Sequence, residues 1–253
     1  MILRQTEDSF IMIKQHDHAY LSGEITKHFN TSLLKSDRYF EEMIYAAFQH
    51  DRSWIGLDDT PIWNDQDNIP YTFSDYPLIP KMAFYKIGLD EIEQTNPYSA
   101  LLCSLHFYSF FTQSKKKECI AFLQEEAKRQ ASLKKILPGL DEELLNQHFR
   151  LLQFSDDLSL YMCLNEPGVK KDEEHPWFRN GFKNTKFFND RDGRLNGEWI
   201  NNEEIRIESF PFISDFSLTL QYKEVAKRDV EHMGIAAAYE TSELRERTFL
   251  VCK

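Results

Sequence analysis

The chain has 253 residues, 42% of them hydrophobic, and carries 41 Asp and Glu against 30 Lys and Arg, a formal charge of −11. Such a composition suits a globular fold and repels phosphate backbones and anionic membranes, so nucleic-acid and membrane-surface roles are not expected. The 9 glycines form neither a G-x-G-x-x-G nor a P-loop, and no serine sits in G-x-S-x-G, which removes the dinucleotide fingerprint, the phosphate-cradling loop and the nucleophile elbow.

In chain order, Met1 to Leu3 and Phe10 to Ile13 are apolar runs around Thr6-Glu7-Asp8, the pattern of a hairpin. Helical periodicity predicts a first helix over Asp17 to Phe29, with Leu21, Ile25 and Phe29 on one stripe. Ser36-Asp37 reads as the N-cap of a second helix running to about His50, whose buried face holds Phe40, Met43, Ile44 and Ala47. Arg52 to Pro80 carries four prolines with Trp54, Trp63 and Tyr71, and reads as a long loop serving as a lid or as an apolar cover. A helix over Lys81 to Glu93 follows. Asn96-Pro97 is an N-cap with Pro at the first helical position, and it opens a strongly apolar helix to about Thr112. Lys115-Lys116-Lys117 reads as an exposed helix start. Ile120 to Ile136 is amphipathic and ends before Pro138-Gly139, and Asp141 then caps a long helix through Leu164.

After Pro167 the texture changes to alternation, in Ile205 to Glu208, Phe216 to Tyr222 and Thr248 to Cys252, with Asp192-Gly193 as a hairpin signal. The expected fold is mainly α, a helical domain over residues 1–167 including the N-terminal hairpin. An antiparallel β segment over 168–253 is appended and pairs with that hairpin, giving α+β overall. Cys103, Cys119, Cys163 and Cys252 never form C-x-x-C, and three of them lie in apolar helical patterns, as buried free thiols do. MILRQTEDSF is charged too early for a signal peptide, and Tyr98 to Phe111 is too short to span a bilayer, so a cytoplasmic location is expected.

Metal-ligand residue types occupy several apolar stripes. His18 leads the first-helix stripe, with His16 as its competitor in the run Gln15-His16-Asp17-His18. His50 and Asp51 follow Ala47 by three and four residues, Asp156 sits among Leu145, Phe149, Leu152, Ser159 and Cys163, and His106 lies between Leu102 and Phe110. A carboxylate in a core without a partner costs several kcal/mol, on the order of its desolvation. Two imidazoles and two carboxylates converging on one divalent ion satisfy all four. This donor set suits Mn, Fe, Co, Ni or Zn.

The order His18, then His50-Asp51, then Asp156 on a later helix resembles the HD-domain superfamily of metal-dependent phosphohydrolases, over residues 15 to 164. The resemblance implies an HD-like helical domain and His18, His50, Asp51 and Asp156 as metal ligands. It also implies Asp51 as the group orienting the attacking water. Beside that set, His106 and Arg52 are the residues expected to meet the phosphate, although Arg52-Ser53-Trp54 departs from the superfamily's usual continuation. The segments QHDHAYLSG, QHDRSW, NPYSALLCSLH, LLQFSDDLSLYMCL and the late SFPF are also similar, as a set, to an uncharacterised bacterial family of the same length, which supplies no activity.

The leading expectation is a phosphohydrolase acting on a small phosphorylated molecule. Its rivals are a non-haem iron oxygenase on the same helices, and a binding or structural protein whose polar core residues bond to one another. Only His106 and His148 lie between Asp51 and Asp156, which furnishes a di-iron site incompletely. Lys81 and Arg150 join Arg52 as phosphate candidates. Asp157 is expected to be solvated, and His28, His148, His175 and His232 structural or exposed.

Overall fold

In the computed structural model, which describes residues 1–188 and 194–253, the two N-terminal apolar runs form the expected hairpin of β1 (Ile2–Gln5) and β2 (Ser9–Ile13). The Asp192-Gly193 signal lies outside the described residues. α1 (Gln15–Lys27) follows β2 directly, and α2 (Phe40–Gln49) starts later than Ser36-Asp37 suggests. The chain enters α2 through Tyr39 in the left-handed region at φ 61°. Tyr39 stacks on Tyr98 at 4.3 Å, and its hydroxyl donates to the Pro138 carbonyl at 2.9 Å. Packing on a distant segment thus overrides the local cap.

The stretch after α2 is partly ordered into the short pair β3 (Trp63–Asn64) and β4 (Ile69–Pro70), and α3 (Leu78–Thr95) begins three residues before Lys81. Trp54 is fully buried among Tyr76 and Tyr85, and Trp63 packs on Phe10, so this stretch covers the core. α4 (Pro97–Phe111) and α6 (Glu142–Leu164) open at the expected caps. The Asn96 side chain accepts from the Ser99 amide, and Asp141 accepts from Glu143 and Leu144. α5 (Lys117–Ile136) separates them.

The C-terminal part supplies β5 (Gly197–Trp199), β6 (Glu204–Ile207), β7 (Phe216–Ala226), the short helices α7 (Lys227–Met233) and α8 (Ile235–Thr241), and β8 (Leu244–Cys252). Among the described residues, six strands form one sheet in the order β1-β2-β7-β8-β6-β5. β2 pairs with β7, so the hairpin joins the late strands as expected. The sheet is mainly antiparallel, with β6 and β8 running parallel. The result is an α+β architecture dominated by helices.

β2 is buried along its whole length because it faces two apolar clusters. Ile13 belongs to the main core, while Phe10 and Met12 join Val225, Ile235 and Tyr239 beneath α7 and α8. The main core runs from Ile2 to Val251 through both the helices and the sheet, with α6 packed against α1, α2, α4 and β1. The SFPF segment fastens this junction. Phe212 bridges to Phe29, the Asn30 amide donates to Pro211 at 3.0 Å, and the Ile213 amide donates to His28 at 3.0 Å.

Two glycines set the spacing of the helices that matter below. A Cβ at Gly23 would lie 2.3 Å from the Phe48 ring, and one at Gly88 2.9 Å from the Ser53 backbone. α1 therefore closes on α2, and α3 closes on the turn that follows Asp51. No helix among the described residues is long and apolar enough to cross a membrane.

Candidate metal centre

Four segments meet where α1, the end of α2, α4 and α6 pack together. His18 comes from α1, His106 from the middle of α4 and Asp156 from the middle of α6. His50 is the C-cap of α2, and Asp51 begins the tight turn Arg52–Trp54. All five side chains are buried. His18 Nε2 lies 3.0 Å from Asp51 Oδ2 and 3.4 Å from Asp156 Oδ1, and His50 Nε2 lies 3.4 Å from Asp156 Oδ1 and 3.8 Å from Asp51 Oδ2. An ion bound at about 2.1 Å by each donor places tetrahedral or cis-octahedral donors roughly 3.0–3.4 Å apart. The four atoms already stand near that spacing.

The tautomers point the same way. His50 Nδ1 lies 2.8 Å from the Ala47 carbonyl, which can only accept, so Nδ1 carries a proton and Nε2 is the nitrogen left to face the cluster. That Nε2 is buried and has no hydrogen-bond partner. His18 Nδ1 lies 2.6 Å from Ser159 Oγ, whose hydroxyl donates to the Asp156 carbonyl. Ser159 Oγ therefore accepts from His18, and the second Nε2 also faces inward. Ser22 packs behind this pair, with its Oγ 2.9 Å from Ser159 Oγ. Such acceptors behind ligating imidazoles fix ring orientation and raise basicity.

His106 Nε2 lies 3.4 Å from Asp156 Oδ2, so the Asp156 carboxylate faces His18 and His50 with one oxygen and His106 with the other. Two overlapping trios result, His18–His50–Asp51 and His50–His106–Asp156, each with donor atoms within 4.8 Å of one another. Both are able to coordinate a metal ion.

The charges are tightly balanced. Burial disfavours a charged His50, but Asp51 and then Asp156 outweigh it and raise its pKa to about 9. A proton on Nε2 meets the same need for positive charge that a divalent cation meets, and the two compete for one nitrogen. Burial would also raise Asp156, yet His50, His106 and His18 hold it well below the usual carboxylate range. His106 is lowered to about 4, chiefly by burial, and is neutral at pH 7.

The cluster forms part of the wall of a cavity of about 360 Å³. Gln15, His18, Asp51, His106 and Asp156 line it, together with Lys81 and Tyr85 from α3. Asp157, expected to be solvated, is half-buried on this wall, and burial followed by Asp156 pushes its carboxyl up to about 7. Arg52 is not brought to the cavity. Its guanidinium turns outward to Glu91 at 2.6 Å and Gln49 at 3.1 Å, because α3 presents a carboxylate beside the turn. Arg150 bonds Gln153. His16 stands outside both trios, and His28 stacks on Phe216 at 4.2 Å.

Three supporting residues had no role in the sequence reading. The Gln15 amide donates to Asp51 Oδ2 at 3.0 Å, and its backbone N–H donates to the buried Asp58. Gln15 and Ser22 stand at i−3 and i+4 from His18, and Ser159 at i+3 from Asp156. Helical spacing from a suspected ligand was the available signal.

A family profile described as "Protein of unknown function (DUF3891)" matches residues 1–227, and the chain belongs to that family. No curated protein and no solved structure matches it.

Proposed function

We propose that this DUF3891 member is a metal-dependent phosphohydrolase acting on a small phosphorylated molecule, with His18, His50, Asp51 and Asp156 holding one divalent ion. One observation carries the reading. Two imidazoles, each with Nδ1 committed to an acceptor, turn their Nε2 atoms toward two carboxylates on the wall of a ligand-sized cavity. The orphaned His50 Nε2 is the buried atom such an ion would satisfy. The ligand order supports the HD-like assignment.

When bound, the ion supplies Lewis acidity toward a phosphoryl oxygen and water acidified to near neutrality. Asp51, steadied by the Gln15 amide, orients the attacking water and accepts its proton. Neutral His106, on the cavity wall, offers an N–H to a phosphoryl oxygen. The water oxygen forms the new bond to phosphorus and the ester P–O bond breaks. The electron pair leaves with the ester oxygen, which takes up a proton, giving inorganic phosphate and an alcohol.

The His50–His106–Asp156 trio favours a second reading, because two histidines and one carboxylate are the ligand set of non-haem iron oxygenases. Protein incubated with Mn, Fe or Zn separates the two. The phosphohydrolase reading expects one bound ion per chain by elemental analysis and hydrolysis of p-nitrophenyl phosphate that Asp51→Ala abolishes. Metal content near zero after each incubation overturns it, and iron-dependent oxygen uptake without phosphatase activity establishes the alternative.

A further inference from the structure

The rest of the cavity wall has a definite chemistry. Phe73, Tyr85, Phe110, Phe111, Leu160 and Trp177 make most of it apolar. Phe110 and Trp177 are about half exposed, at 52% and 48%, although they are large aromatic side chains. They come from unrelated parts of the chain, the end of α4 and the turn after Pro176. Phe110 stands edge-on to His106 at 4.6 Å, and Trp177 packs its edge against Phe73 at 6.2 Å. An apolar rim therefore begins directly beside the metal-ligand cluster.

The same wall is poor in positive charge. Lys81 is its single Lys or Arg among the described residues, against Asp51, Asp156 and Asp157. Lys81 is more than nine-tenths buried. Its ammonium donates to the Phe73 carbonyl at 3.0 Å and reaches the Ser74 carbonyl at 3.5 Å, leaving one of three N–H donors for a ligand. A divalent ion and Lys81, set against Asp51, Asp156 and Asp157, leave at most about one positive charge in excess on this wall. That balance accommodates one phosphoryl group and does not neutralise a di- or triphosphate chain. At about 360 Å³ the cavity stands near the lower end of small-molecule sites.

We infer that the cavity selects a monophosphate ester of a small aromatic or apolar alcohol, with Lys81 contacting the anionic group and Phe110 and Trp177 holding the apolar body. The inference rests on the phosphohydrolase reading for its phosphoryl group and adds the substrate class.

Binding of non-hydrolysable probes to the metal-loaded full chain tests it without relying on turnover. Isothermal titration at fixed ionic strength is expected to show phenylphosphonate binding about tenfold or more tighter than methylphosphonate, the worth of burying one ring. Tripolyphosphate is expected to bind more weakly than phenylphosphonate, with its metal chelation controlled by following the protein-bound ion. Trp177→Ala and Phe110→Ala, both at half-exposed positions that leave the core intact, should erase most of the tenfold preference. Lys81→Met should weaken both phosphonates.

Equal affinity for the two phosphonates overturns the aromatic subsite while leaving the phosphohydrolase reading standing. Tighter tripolyphosphate binding overturns the single-phosphoryl assignment in the same way. If the protein holds its metal and neither phosphonate binds, the phosphohydrolase reading itself falls, and the substrate class falls with it.

Discussion

Two buried polar constellations on α6 differ in what they leave over. Near its C-terminal end, Tyr161 donates to Glu174 Oε1 at 2.7 Å and Lys171 donates to Glu174 Oε2 at 2.7 Å. Lys171 also donates to the Phe178 and Gly197 carbonyls, and Arg179 to the Glu174 carbonyl. Glu174 is wholly buried and both of its carboxylate oxygens are bonded. One and a half turns earlier, Asp156 faces three imidazoles, and His50 Nε2 and His106 Nδ1 remain without hydrogen bonds. The first constellation closes on itself and braces the junction with the sheet. The second leaves buried ring nitrogens unbonded beside a cluster able to coordinate a metal ion.

The largest expected effect separates the two directly. Ion added at a thousandfold excess over its dissociation constant should stabilise the native protein by about 4 kcal/mol, and Asp156→Ala should abolish that increment in thermal melts. A full increment in the variant would place the ion elsewhere. Glu174→Ala should instead cost about 3 kcal/mol, because it strands the Tyr161 hydroxyl and a Lys171 ammonium that retains some solvent. Urea titration should return that same cost with and without metal, and a metal-dependent cost would erase the contrast between the constellations.

His148 sharpens the comparison as a buried histidine with no carboxylate facing it. Its Nδ1 meets the Tyr98 hydroxyl at 2.7 Å, and burial lowers its pKa to about 4. Between that value and the unfolded value of about 6.5 the unfolded chain binds more protons, so stability rises with pH across this window. Acidification from pH 7 to 4 should therefore remove at most about 3 kcal/mol through this group. His148→Asn should flatten that part of the profile, and an unchanged slope would reassign it. The smallest effect is expected behind the cluster. Ser159→Ala removes the acceptor of His18 Nδ1 and should weaken metal binding about tenfold while leaving one ion per chain.

Features set by local chemistry were legible from the sequence. Asn96 and Asp141 open their helices as read, because a cap bonds within three residues of itself. His18, His50, Asp51 and Asp156 stood out as costly groups on apolar stripes, and the structure brings them together with His106. Features set by distant partners were not legible. The cap at Ser36-Asp37 yielded to Tyr39 packing on Tyr98, and Arg52 turned outward to Glu91 on a helix about forty residues later. The serines behind His18 carry no charge to flag them. The parallel pairing of β6 with β8 follows from α7 and α8 returning the chain, which strand alternation does not reveal.

The bond from His18 to Ser159 spans 141 residues of chain. During synthesis the first three candidate ligands emerge long before Asp156, and α6 must dock on α1 before the cluster exists at all. Long-range closure of this kind is slow compared with helix formation. Metal capture would therefore be a late event in the life of each molecule, and a metal-dependent signal would report finished chains, not folding intermediates.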